Sequence, residues 1–198
     1  MSTTRQRVID AAIKSFSMFG YKGTTMDQVA KIADVSKGTI YMFFASKDEL
    51  FAFILDGIAE ELQQIASKAF CATDQFLENL ENAIVQILNY RSKHELLVKL
   101  SLEVKELGTT KVVAGLQHIE RSIIQFIASE IRQGQERNDI AECHPEVVAF
   151  IILRTYTTLV NEWDKQFAPI TNDEIRETFY QVFVRGLRPT LRTESETH

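Results

Sequence analysis

Apolar residues recur at three- and four-residue spacing along almost the whole of this 198-residue chain, the period of an amphipathic helix and not the alternation of a strand. Val8, Ala11, Ala12, Ser15, Phe16 and Phe19 form the first stripe, which predicts a helix from about Thr3 to Phe19. Gly20 supplies its stop, and Tyr21 to Thr24 form a connector. Thr25 with Gln28 makes a capping box that opens a helix of about two turns, with Val29, Ala30, Ile32 and Ala33 inward. Asp34 takes the next turn, since Asp tolerates a left-handed backbone, and Val35 plugs the angle. Ser36 then caps a third short helix whose Ile40 and Phe44 face inward at i, i+4. Ser46 with Glu49 opens a longer rod carrying Leu50, Phe51, Ile54, Leu55, Ile58 and Leu62.

Caps continue to punctuate the chain beyond that rod. Thr73 or Asp74 opens a helix to about Tyr90, Ser92 with Glu95 one to about Leu107, and Thr110 a long one to Gly134. Pro145 begins another to about Asp164, and Thr171 with Glu174 the last, to Leu187 before Pro189. The count is nine helices. With 3 prolines, 8 glycines and no hairpin signal, the fold class is all-α.

Composition narrows the picture. At 45% apolar the chain can bury a substantial core. Cys71 and Cys143 stand far apart with no CxxC spacing, which suits a reduced, cytoplasmic protein without a metal site. The most apolar run, Val147 to Leu153, ends at Arg154, well short of the ~20 residues of a bilayer span, so a soluble protein with no membrane partner is expected. The net charge is −5, but it is unevenly placed: residues 1–47 hold seven Lys or Arg against Asp10, Asp27 and Asp34, a balance of +4, leaving −9 for the rest. A small basic head on an acidic body fits nucleic-acid binding.

The third helix carries the most specific chemistry. Lys37, Thr39, Tyr41, Met42 and Phe43 divide between its surface and its packing, and Gly38 permits close approach of the backbone to a phosphate. Lys47 lies in the first turn of the fourth helix, a poor place for a cation, and a phosphate partner accounts for it.

Phe19-Gly20-Tyr21, Thr24-Thr25, Val29-Ala30, Val35-Ser36, Lys37-Gly38-Thr39-Ile40-Tyr41, Phe44 and Lys47-Asp48-Glu49-Leu50 together resemble the DNA-binding domain of the tetracycline-repressor (TetR) family. The likeness covers roughly the first quarter of the chain. Asp34 stands where the family usually has Gly, and Phe43 and Ala45 where it often has His and Lys. Those departures place more weight on Lys37, Lys47, backbone amides and the arm residues Arg5 and Arg7. The resemblance implies a helix-turn-helix domain over residues 1–47, its motif at about 25–44, then a helical effector-binding and dimerisation domain over 48–188 and a flexible tail at 189–198. It implies that Thr25, Ser36, Tyr41 and Lys47 hold phosphates while Lys37, Thr39 and Met42 come nearest the base edges, with methyl groups available for thymine. Tyr41 serves equally as a cover for the core.

The body is read with two jobs. Val148, Ile151, Ile152, Leu159 and Trp163, with Ile175, Phe179, Val182, Phe183 and Leu187, serve as core or, by the resemblance, as paired dimerisation helices. Glu103 shares a stripe with Leu96, Leu100 and Leu107, and Glu120 one with Val113, Leu116, Ile123, Ile124 and Ile127. Carboxylates on apolar stripes mark either a ligand pocket or a pairing, for instance with Arg121 or Arg154. Tyr90 and Tyr156 are further pocket candidates, each equally at home in a core. The resemblance implies a mostly apolar small effector, which two carboxylates would tilt toward a cation. The expected protein is therefore a homodimeric repressor on a palindromic operator, released by that effector and needing no cofactor. Its four histidines are scattered and no hydrolase, metalloprotease or nucleotide fingerprint appears, so an enzyme is not expected. The rival reading is a helical interaction or membrane-surface protein using the basic first helix.

Overall fold

Thr3 opens α1 (Thr4–Gly23), its hydroxyl accepting from the Gln6 amide at 3.2 Å. In the computed structural model, which describes residues 3–70, 75–90 and 94–189, α1 does not simply stop at Gly20. Gly20 takes φ 73°, and one further turn winds on to Gly23. The expected connector is thus mostly helical, with a break before it. The helices that follow are α2 (Met26–Ala33), α3 (Lys37–Tyr41), α4 (Lys47–Phe70), α5 (Phe76–Asn89), α6 (His94–Leu107), α7 (Thr110–Glu136), α8 (Pro145–Asn161) and α9 (Asn172–Phe179). No strand occurs among the described residues. The caps expected at Thr73 or Asp74 and at Ser92, Cys71, and the tail beyond Pro189 lie outside them.

Several boundaries differ from the periodicity for local reasons. The Ser46 hydroxyl caps the Glu49 amide at 3.1 Å, but the Glu49 carboxylate accepts from Ala45, one residue earlier than a capping box requires. The α8 helix ends at Asn161 and gives way to a 3-10 turn at Trp163–Lys165, where the indole donates to the Ala168 carbonyl at 2.8 Å. The α9 helix opens with the expected Thr171–Glu174 capping box, then widens into a π-helical turn at Tyr180–Val184.

Two compact units result: Met1–Leu62 with Tyr90–Ser122, and Gln63–Asn89 with Ile123–His198. The division falls within α4 and α7. Val8, Phe16, Val29, Ile40, Leu50, Ile58, Leu96, Leu100 and Val112 are fully buried in the first. Phe76, Leu80, Ile131, Ile152, Ile175, Phe179 and Phe183 centre the core of the second. Each such side chain contributes roughly 1.5–3 kcal/mol through burial. Along α7 the deepest positions are Val112, Ile119, Ala128 and Ile131, while the expected stripe of Val113, Leu116, Ile123, Ile124 and Ile127 is only half-buried. The inward face of this 27-residue helix is thus rotated by about one position from the stripe read in sequence. Leu107 is exposed because α6 closes there on a left-handed Gly108.

Candidate nucleic-acid interface

Thr25, the N-cap of α2, accepts from the Gln28 amide at 3.2 Å while Gln28 Oε1 accepts from the Thr25 amide at 2.8 Å. At the other end Asp34 adopts the left-handed conformation, φ 53° and ψ 54°, that the turn demands. Arg7, reaching from α1, donates to the carbonyls of Ala33 at 2.6 Å and Asp34 at 2.9 Å. A guanidinium at a helix C-terminus satisfies orphan carbonyls and complements the dipole. Arg7 is therefore engaged in holding the turn between α2 and α3, a role that its position in an N-terminal arm did not reveal.

Ser36 caps α3, accepting from the Thr39 amide at 3.2 Å and sharing a hydrogen bond with the Thr39 hydroxyl at 2.8 Å. Ile40 and Phe44 are buried as their spacing predicts. Thr25, Ser36, Lys37, Gly38, Tyr41 and Met42 are exposed, Met42 at 82%, and Thr39 is half-buried. Lys37 pairs with Asp27 at 2.7 Å, and that carboxylate pushes the lysine pKa above its ordinary value. The segment thus presents hydroxyls, a fixed cation, a thioether and an aromatic ring from a backbone pinned at both ends.

Lys47 has close intramolecular partners. Its ammonium donates to the carbonyls of Tyr21 at 2.8 Å and Thr24 at 3.0 Å, and lies 4.3 Å above the Tyr21 ring. Carbonyls at the end of α1 thus account for a cation in the first turn of α4. Arg5 stacks 4.3 Å over Phe53 and 5.3 Å over Phe44. The Tyr21 hydroxyl donates to Asp48, and burial first, then that carboxylate, raise its pKa far above the ordinary tyrosine value.

The four effector candidates have different surroundings. Glu103 is buried, and its carboxylate accepts from the amides of Tyr21 and Lys22 and the hydroxyl of Thr109. The Tyr90 hydroxyl is buried without hydrogen-bond geometry; burial first, then the neighbouring Glu61 carboxylate, raise its pKa well above the ordinary value. Glu120 is half-buried on α7. Those three belong to the first unit, whereas Tyr156 packs against the core of the second. A groove of about 240 Å³ between α4 and α7 in the first unit is lined by none of them. Phe51, Leu55 and Gly115 form its apolar wall, and Asp48, Lys111 and His118 border it. Gly115 allows the close approach, because a Cβ there would run into Leu55.

Among the described residues no group of His, Cys, Asp and Glu could hold a metal ion, and no helix is long and apolar enough to cross a membrane.

A pinned helix-turn-helix with a polar recognition turn, followed by a larger helical body, defines a DNA-binding transcription regulator. Residues 8–54 match the model of the family described as bacterial regulatory proteins, tetR family. Over 188 residues the chain is 42% identical to the HTH-type transcriptional regulator YhgD of Bacillus subtilis, spanning 94% of this chain and 98% of that one. It is 30% identical over 143 residues to the HTH-type transcriptional repressor SCO4008 of Streptomyces coelicolor, covering 72% and 70% of the two chains. The fold superposes on that of FadR from Bacillus subtilis in complex with stearoyl-CoA with a TM-score of 0.77, at 16% identity and over 93% and 100% of the chains. The chain belongs to the tetR family of bacterial transcription regulators.

Proposed function

We propose that this regulator is a homodimeric cytoplasmic repressor that grips a palindromic operator with two heads and leaves it when a small, mostly apolar molecule binds its body. Residues 1–47 form the head and 48–188 the effector-binding and dimerisation domain. The observation that carries the reading is the apolar surface left on α8 and the π-helical turn. Val147, Phe150, Ile151 and Val182 are exposed, although Ile152, Phe179 and Phe183 beside them in sequence are buried. Large apolar side chains left exposed together on one helix mark an interaction surface, and two such helices with their symmetry mates would make a four-helix bundle. Pairing also supplies what a single five-residue α3 lacks, because two heads ~34–36 Å apart read two half-sites.

At the operator, Thr25, Ser36, Gly38 and Tyr41 take phosphates, and Lys37, Thr39 and Met42 approach base edges, the methyl groups meeting thymine. Lys47 acts by holding the carbonyls of Tyr21 and Thr24, and so the approach to α2. Tyr90 and Glu120 of the first unit are the effector contacts, and the FadR complex with stearoyl-CoA makes fatty-acyl thioesters the first class to try. Release requires only that the effector bind the DNA-incompetent shape more tightly, typically by ~1–3 kcal/mol.

Selection of bound duplexes from a random pool, followed by sizing of the complex at two salt concentrations, tests the reading. The expected result is a palindrome bound by an even number of protomers, with affinity falling as salt rises by a slope of about −0.9 per phosphate contact. A single half-site bound by one protomer defeats it.

A further inference from the structure

Glu103 is the only charged side chain that is deeply buried among the described residues, at 5% exposure. A carboxylate in such a place is tolerated when donors meet both oxygens. Here Oε2 accepts from the Tyr21 amide at 2.5 Å, and Oε1 accepts from the Lys22 amide and from the Thr109 hydroxyl, each at 3.0 Å. The two amides are available because Gly20, at φ 73°, breaks α1 and starts a new turn whose first N–H groups have no partner within the helix. Glu103 of α6 thus caps a turn that belongs to α1. Gly20 is needed twice, for its backbone and because a Cβ there would collide with the carboxylate.

The same turn is gripped from other sides. The Tyr21 hydroxyl reaches Asp48 of α4, and Asp48 pairs with Lys111 of α7 at 3.3 Å. The Tyr21 ring lies between Phe16 and Phe51, at 6.2 and 4.7 Å between centroids. Residues 20–24 lead directly into α2, so whatever fixes this turn fixes the direction in which the helix-turn-helix is presented. The compact unit that holds the head accordingly includes α6 and the start of α7.

We propose that Glu103 is a positioning residue for operator recognition: its carboxylate locks the head to α6, and in the dimer this sets the distance between the two recognition segments. The proposal rests on the dimeric reading above. Unlike a phosphate contact, it predicts a change in tolerated half-site spacing and not in salt dependence. A residue serving stability alone would change neither.

The experiment uses full-length wild-type protein and Glu103→Gln on the selected operator and on duplexes with the spacer one base pair longer or shorter. The wild type should discriminate against the altered spacers by about tenfold or more, and Glu103→Gln should bind the native operator about tenfold more weakly while discriminating less than about threefold, with an unchanged salt slope. Unchanged spacer preference in the variant, whatever its melting temperature, overturns the inference and leaves the dimer standing. A wild type that selects no palindrome removes the dimer reading and this one with it. If Glu103→Gln does not fold, Glu103→Asp takes its place, since it keeps the charge but draws the carboxylate back from the Tyr21 and Lys22 amides. Relaxed spacing in that variant supports the lock, and wild-type spacing overturns it.

Discussion

Both units of this regulator bury an apolar core, and they differ in what accompanies it. In the first, charged side chains reach across helices to backbone atoms: Arg7 to the carbonyls of Ala33 and Asp34, Lys47 to those of Tyr21 and Thr24, Glu103 to the amides of Tyr21 and Lys22. In the second, the core is a cluster of aromatic and aliphatic side chains, and more of them are present than it encloses, so that Val147, Phe150, Ile151 and Val182 face outward. Hydrogen bonds are directional and burial is not. A reading head needs its recognition segment aimed, and directional bonds aim it. An association surface needs area, and apolar excess supplies it.

If burial carries the second unit, Phe179→Ala, at a position 1% exposed, should reduce its unfolding free energy by about 3–5 kcal/mol in a denaturant titration. A loss below about 1 kcal/mol would break the comparison at its base. Next in size is the double change Phe150→Glu, Ile151→Glu, which should convert dimer to monomer in sedimentation and weaken operator binding by about 100-fold or more. A dimer that persists moves the interface elsewhere. On the head side, Arg7→Ala should destabilise by about 1 kcal/mol, discounted from ~1.5–3 for a charged donor because the side chain is half exposed. It should lower operator affinity with no change in salt slope, whereas a slope lowered by one would return Arg7 to the phosphates. Lys37→Ala sharpens the same distinction: at a base edge its loss should relax specificity at one position with the salt slope kept, whereas a slope flatter by about one unit would move Lys37 to a phosphate.

The smallest effect is a pH dependence. The Tyr21 hydroxyl, then Lys111, hold the Asp48 carboxyl below its ordinary value. A depressed folded pKa stabilises above the unfolded value of ~3.9 and loses that contribution as pH falls through the folded one. The difference in melting temperature between wild type and Asp48→Asn should therefore be constant near neutrality and shrink below about pH 4. A difference that grows on acidification contradicts the assignment.

The head was largely legible from its residues. The Thr25–Gln28 box, the left-handed Asp34 and the Ser36 cap rest on interactions within five residues, and the inward Ile40 and Phe44 were marked by their i, i+4 spacing. The partner of Glu103 was not, because that carboxylate was singled out by its place on an apolar stripe. A stripe does not say which neighbour its polar member meets. Glu103 met α1, and the α7 stripe lay about one position from the true inward face.

Periodicity and capping by themselves determined that this chain is all-helical and where α1 to α4 and α7 to α9 begin, since these follow from contacts between residues a turn apart, and the motifs of its first quarter carried the resemblance to a helix-turn-helix. Only the tertiary structure decided what the charged groups do. Lys47 finds its carbonyls 26 and 23 residues away, and Glu103 its amides 82 and 81 away. A buried or half-buried charge takes whichever dipoles the packing brings to it, and packing is a property of the assembled helices.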